Sequence, residues 1–383
     1  MIYLDNAATT AVKPDSVKAA ILRGLDGNYG NPSRGAHDFS LNAFREVYKC
    51  RENAARLFNI SDPLNIALTF NGTDSLNKVI KGAIKPGDHV ITTMAEHNSV
   101  LRPLYQHATS FEEITIVGLD EAAEIKYEEM FNGIRRNTKA VIVTAASNVT
   151  GNGTDIKKIS EFTKANNILL IVDASQAAGV LDLDMEYLGI DILCATGHKG
   201  LYGPQGTGIV AVRDGGNFKP FITGGAGHHS FSKNHPDKMP DVFEAGTLNT
   251  PGIMGLNAGI EYILDKGIEN VRNHVMGLER ELIRGFREIG SVKLYGNMDN
   301  KFRTPCVGIN IGNLSSSEVA ARLNEDYGIA VRPGAHCAPL VHEALKTKEQ
   351  GIVRFSLSGF NTLDEVKEAI KAVKEISEDQ LGD

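Results

Sequence analysis

Several absences narrow what this chain can be. It has no block of Lys and Arg, and its formal net charge is −7, so nucleic acid is not expected as its main partner. No apolar run approaches the roughly 18 residues that a membrane span needs, so no membrane partner is expected either. Met1–Asp5 has neither a basic flank nor an apolar core of the kind that directs secretion, and the chain is expected to work in the cytoplasm. Cysteine is scarce. The four present, Cys50, Cys194, Cys306 and Cys337, form no CxxC pair, which argues against a disulfide framework and a structural zinc site. There is no GxxxxGK(S/T) and no GxSxG, which weakens nucleotide-hydrolase and serine-hydrolase readings. The glycine-rich stretch 203–208 precedes a strand-like run instead of opening a helix, so it fails the test for a dinucleotide loop.

What is present is an ordinary globular composition, 42% hydrophobic and 23% charged over 383 residues, long enough for two domains with cores of their own. From about residue 65, short apolar runs at 66–70, 89–92, 114–117, 140–144, 168–173, 190–195 and 208–212 alternate with helical stretches such as 73–83 and 155–166. Runs of this kind suit strands buried on both faces, and the alternation predicts an α/β fold with a mostly parallel seven-stranded sheet. A smaller α+β domain is expected beyond it, with helices at 251–264, 269–289, 316–325 and 363–376 and strands at 306–311, near 330 and at 353–357. The expected division is a large domain over 15–250, and a small domain built from 251–383 together with 1–14. The N-terminal residues are expected beside that domain or over the site.

Chemistry concentrates at the ends of these strands, where ligands bind in such sheets. Asp173 closes the run 168–173. Lys199 follows 26 positions later in a small-residue turn, Ala195-Thr196-Gly197-His198-Lys199-Gly200. An acid at a buried strand end and a lysine in such a turn are what pyridoxal 5′-phosphate (PLP) requires: an amine to form a Schiff base with the aldehyde, and a carboxylate to pair with the pyridinium. Asn71-Gly72-Thr73 at a helix start offers N–H groups and a hydroxyl to a phosphate, although Thr73 can equally be a simple helix cap. His97 can stack on a cofactor ring and move protons, or simply be solvated. Asn148 and Gln176 can reach a ring hydroxyl, Asn148 alternatively a substrate carboxylate, and Thr196 and His198 a phosphate. Arg354, in a β-rich apolar run, needs an anion, which is either a substrate carboxylate or an internal partner. Cys337 sits in a loop of Pro and Gly with Arg332 and His336, either of which can lower a thiol pKa as a cation; a packed, inert thiol is the alternative. A metal site from His336, Cys337 and His342 lacks suitable spacing. The histidines of the 224–238 stretch read as solvated.

Taken together, these residues resemble the class V aminotransferase family of fold-type I PLP enzymes, and within it the cysteine desulfurase and selenocysteine lyase group. The resemblance runs nearly end to end, through residues 3–10, Gly30-Asn31-Pro32-Ser33, Asn71-Gly72-Thr73, Glu96-His97-Asn98, Ser147-Asn148-Val149, 172–176, Thr196-Gly197-His198-Lys199, 243–247 and 353–357. It implies that Lys199 holds the cofactor, Asp173 its pyridinium, Gln176 its ring hydroxyl and His97 its ring face, with Gly72, Thr73, Thr196 and His198 at the phosphate. Thr247 is expected to reach the phosphate of the other subunit of a homodimer. Asn148 and Arg354 are expected to hold the substrate carboxylate, with Arg332 and His336 on the same side. Cys337 matches the sulfur-accepting cysteine in the short-loop type II form. The implied activity converts L-cysteine to L-alanine and leaves a persulfide on Cys337 for a sulfur-acceptor protein. L-selenocysteine as substrate, another class V enzyme that needs no thiol, and a non-catalytic sulfur-transfer scaffold are the alternatives. Thr196 stands where serine is common, Ser175 is unusual for its position, and the 224–238 loop departs from the family pattern.

Overall fold

The computed structural model describes residues 1–32 and 35–382; Ser33, the last residue of one family motif, lies outside the described residues. The chain opens with strand β1 (Ile2–Tyr3) and helices α1 (Asp15–Arg23) and α2 (Asp38–Phe58). Strands and helices then alternate: β2 (Ile66–Thr69), α3 (Gly72–Ala83), β3 (His89–Thr93), α4 (Asn98–His107), β4 (Ile114–Val117), α5 (Tyr127–Asn132), β5 (Thr138–Thr144), α6 (Ile156–Ala165), β6 (Leu169–Asp173), α7 (Met185–Leu188), β7 (Ile192–Thr196) and β8 (Gly208–Val212). The remainder holds α8 (Thr250–Lys266), α9 (Ile268–Arg287), β9 (Val292–Tyr295), β10 (Cys306–Ile311), α10 (Ser316–Tyr327), β11 (Ile329–Ala330), α11 (Pro339–Ala344), β12 (Val353–Ser356) and α12 (Leu363–Gly382).

The large sheet has seven strands in the order β2-β8-β7-β6-β5-β3-β4. All its pairings are parallel except those of β8, which runs antiparallel to β2 and β7. Alternate residues feed two apolar layers: Val141, Val143, Leu170 and Val172 pack on one face, Ala140, Ile142 and Ile171 on the other. Burial on both faces is why these strands read as continuous apolar runs. A second, antiparallel sheet, β12-β10-β9, packs Val307, Ile309 and Phe355 against Leu282 and Phe286 of α9 and Val373 of α12. β9 and β1 were not expected from the sequence. β9 is four residues long and partly exposed, and β1 is two residues long, so neither carries a readable pattern.

Two buried ion pairs fasten the parts. The guanidinium of Arg51 on α2 donates to both oxygens of Glu244, at 2.7 and 2.8 Å, and Glu244 also accepts from the Leu68 N–H of β2. Arg303 pairs with Glu279 of α9 at 2.7 Å and donates to the carbonyls of Thr150, Asn297 and Cys306. Buried pairs like these, the first bidentate and the second a single contact supported by bonds to carbonyls, fix geometry more than they add net stability. The register at the centre of the sheet aligns Thr144 with Asp173, and Asp173 with Cys194, so β5, β6 and β7 present their carboxyl ends side by side.

Candidate active site

Those strand ends, the N-terminus of α3 and the turns after β3 and β7 enclose a pocket of about 430 Å³. Gly72, Thr73, His97, Asn148, Asp173, Gln176, Thr196, His198, Lys199, Arg332 and Arg354 line it; Thr247, His336 and Cys337 do not. Gly72 opens α3 against the turn after β6, where a Cβ would lie 2.9 Å from the Ser175 Oγ. The small residue keeps the free N–H groups of the helix start within reach of the pocket. The Thr73 and Ser99 hydroxyls are 2.7 Å apart, and Ser99 Oγ lies 2.8 Å from His97 Nδ1. The Ser99 N–H donates to the same ring nitrogen at 3.0 Å, so Nδ1 is an acceptor and the neutral ring carries its proton on Nε2. Burial pushes His97 down to about 4; the Asp173 charge opposes this and the Lys199 and Arg332 charges reinforce it.

Asp173 is 3% exposed and accepts the Ser175 N–H at 3.0 Å. Lys199 enters from the turn after β7. Burial lowers its amine to about 8, Asp173 holds it up, and the Arg354 and Arg332 charges lower it further. No hydrogen bond to that amine is present among the described residues. The N-terminal segment braces this turn: His198 Nδ1 meets Thr9 Oγ1 at 3.0 Å, and the His198 carbonyl accepts from the Thr10 N–H and from Lys13 Nζ at 2.9 Å. Gln176 donates to the Ala7 carbonyl at 3.1 Å. The Thr196 hydroxyl and Asn148 Oδ1 are buried at the pocket without hydrogen-bond partners among the described residues.

The opposite wall comes from the C-terminal part of the chain. Arg354 is fully buried, and its guanidinium donates to Asp5 Oδ1 at 2.6 Å and to the Asn148 carbonyl at 3.0 Å. An internal ion pair and a pocket-facing position are therefore both realised. Asn148 Nδ2 donates to the His336 carbonyl at 2.7 Å, and the Asn98 N–H donates to the Cys337 carbonyl at 2.8 Å. His336 and Cys337 both adopt left-handed backbone, with φ of 52° and 57°, and this turn leaves the Cys337 side chain exposed beside the pocket. His336 is buried and stacks on His342, ring centroids 5.8 Å apart. Burial, reinforced by Arg354, pushes His336 down to about 3. This corrects the expectation that His336 acts as a cation beside the thiol. It is neutral, which leaves Arg332 as the cation of that loop.

Thr247 is exposed and accepts from Asn31 Nδ2 at 3.2 Å, away from the pocket. Ser99 and Asp5 were given no site role from the sequence, and Ser175 was noted only as a departure from the family pattern. Ser99 and Ser175 stand within two positions of His97 and Asp173, which is the signal that could have found them. Asp5 has no local signal, because its partner lies 349 residues away. Among the described residues no group of three His, Cys, Asp or Glu could hold a metal ion, and no helix is long and apolar enough to cross a membrane.

Residues 2–368 match the family described as Aminotransferase class-V, and the chain belongs to that family. Its relatives include a protein described as "Probable cysteine desulfurase" from Methanothermobacter thermautotrophicus, 31% identical over 98% of this chain and 94% of that one. A cysteine desulfurase from Yersinia pseudotuberculosis is 30% identical over 98% and 93% of the two chains. Among solved structures, the apo cysteine desulfurase from Thermococcus onnurineus superposes with a TM-score of 0.90 at 30% identity, covering 99% of this chain and 95% of that one.

Proposed function

We propose that this chain is a PLP-dependent cysteine desulfurase that turns L-cysteine into L-alanine and leaves a persulfide on Cys337 for a sulfur-acceptor protein. The observation that carries the reading is the placement of Asp173, at the end of β6, and Lys199, in the turn after β7, in the lining of one pocket that also receives the α3 N-terminus. The donor set fits the cofactor. The unpartnered Thr196 hydroxyl, Thr73, His198 and the N–H groups after Gly72 suit a phosphate, Asp173 a pyridinium and Gln176 a ring hydroxyl. When bound, the cofactor supplies an electron sink for the substrate α-carbon.

The chain's own residues do the rest. Lys199 would hold the aldehyde, and a free amine lowered to about 8 can take up the substrate α-proton and return it near neutral pH. His97, neutral and held through Ser99 with its proton on Nε2, would lie against the cofactor ring. Arg354 and Asn148 receive the substrate carboxylate, with Arg332 beside them. The Cys337 thiolate attacks the substrate sulfur: an S–S bond forms, the carbon–sulfur bond breaks, and its electron pair stays with the three-carbon skeleton, which takes up a proton as alanine. The exposed Cys337 is open to an acceptor protein. Thr247, outside its own pocket, is available to a partner copy in a homodimer.

The test is to incubate purified protein with PLP and L-cysteine, measure alanine, and map added sulfur by mass spectrometry. Alanine and a persulfide on Cys337 are expected. Full turnover by Cys337→Ala would overturn the nucleophile assignment, and full turnover by Lys199→Ala would overturn the whole reading.

A further inference from the structure

Glu96 is fully buried, one residue before His97. Its Oε1 accepts two hydrogen bonds, from the Thr93 hydroxyl at 2.6 Å and from the Thr144 N–H at 3.1 Å. Thr93 ends β3 and Thr144 ends β5, which are neighbours in the sheet. Thr144 lines the pocket and pairs in register with Asp173, while the Thr93 hydroxyl also accepts the Ala95 N–H at 3.1 Å, inside the turn that delivers His97. One carboxyl oxygen thus joins two strand ends to the His97 turn. The other oxygen, Oε2, is buried and has no hydrogen-bond partner among the described residues. An ionised group here would leave a buried anion with only one of its oxygens hydrogen-bonded, with Asp173 on β6 as the charged group acting on it. A neutral acid costs less here, because Oε1 still accepts both bonds and the unpartnered Oε2 carries an O–H in place of a buried charge.

We propose that Glu96 is a positioning residue that, as an uncharged carboxylic acid, clamps the His97 turn to the end of β5 and leaves Asp173 as the sole negative charge on the pocket floor. The role in the reaction rests on the function proposed above. The clamp itself does not, and burial, which raises this carboxyl to about 8, agrees with it.

The experiment compares Glu96→Gln and Glu96→Ala. Gln keeps an acceptor for Thr93 and Thr144 and is neutral at every pH, so it is expected to rescue kcat to within about two-fold. Ala removes the acceptor, and a misplacement on the order of 1 Å at His97 is expected to lower kcat by about 100-fold with little change in KM. Equal loss in Gln and Ala overturns the proposal. Independently of turnover, thermal denaturation of the cofactor-free protein is followed against pH. The folded state holds the Glu96 proton more tightly than the unfolded chain. The wild type should therefore lose stability relative to Glu96→Gln as pH rises from 4.5, the ordinary value for a glutamate, towards about 8. Superimposable pH profiles overturn it. Should neither variant fold, the infrared carbonyl band of a neutral carboxylic acid in wild-type protein at pH 7 decides: its presence supports the clamp and its absence overturns it. A wild type that makes no alanine yet shows the expected pH divergence fails the desulfurase reading and keeps the clamp.

Discussion

The Asn148 side-chain amide donates to the backbone carbonyl of His336 at 2.7 Å, so a residue of the pocket wall holds the residue preceding Cys337. The same amide is the one proposed to receive the substrate carboxylate. That amide has two N–H groups, so one can hold the turn while the other faces the substrate, and the Asn148 side chain bears directly on how firmly the Cys337 turn is held. Releasing one hydrogen bond is worth about 1 kcal/mol, or about five-fold in an opening equilibrium. Asn148→Ala is expected to raise the rate of Cys337 alkylation by iodoacetamide by about that factor. An unchanged rate in Asn148→Ala would show that the Asn98–Cys337 backbone bond alone holds the turn.

Arg354 and Asp5 form a largely buried pair at the pocket wall, with side chains 1% and 20% exposed. Removing one partner strands the other, which costs about 3 kcal/mol or more. Arg354→Ala is expected to lose about that much in urea denaturation and, in the active enzyme, to raise KM for cysteine more than it changes kcat. A stability change under about 1 kcal/mol would place the pair with weak surface bridges.

Lys199 gives a stability signature of opposite sense to that of Glu96. Its folded-state pKa, about 8, lies below the ordinary lysine value of 10.5, so the unfolded chain binds the proton more tightly. Stability of the cofactor-free protein should therefore rise between about pH 8 and 10.5 relative to Lys199→Met, and the two should run parallel at lower pH. The rate of PLP uptake, followed by visible absorbance, should increase over the approach to pH 8 as the amine becomes free. His97 and His198, both pushed to about 4 by burial, should add no inflection near 6.5.

Glu244 is held by three donors, two from Arg51 and one from Leu68, three residues before Thr247. Glu244→Ala leaves the Arg51 guanidinium buried without its anion and is expected to destabilise the protein by about 3 kcal/mol in urea denaturation. Glu244→Gln, which keeps an acceptor but not the charge, should lose less. Equal losses would mean that packing and not the pair dominates.

Much of the large sheet was legible because strands buried on both faces leave unbroken apolar runs, and Asp173 and Thr196 stand where those runs stop. The pocket residues were legible for the same reason: they follow strand ends, so order in the sequence becomes proximity in space. What could not be read was everything that depends on distant pairing. Nothing around Asp5 announces Arg354, and nothing around His336 announces that burial keeps it neutral. Glu96 could be quoted only as part of a motif, because its two donors become neighbours only once β3 and β5 lie side by side. Thr247 shows the remaining limit: its expected place is on another copy, which a single chain cannot display.

The first strand joins β11 through Ile2 and Tyr3, and Asp5, Ala7 and Thr9 reach Arg354, Gln176 and His198 in turn. The beginning of the chain is thus stitched to a part that leaves the ribosome more than three hundred residues later. Early folding can build the parallel sheet, yet the catalytic hollow stays unfinished until the late strands arrive. A nascent enzyme of this design is chemically silent for most of its synthesis, and an extension that displaced residues 2–9 would open the hollow without touching a single pocket-floor residue.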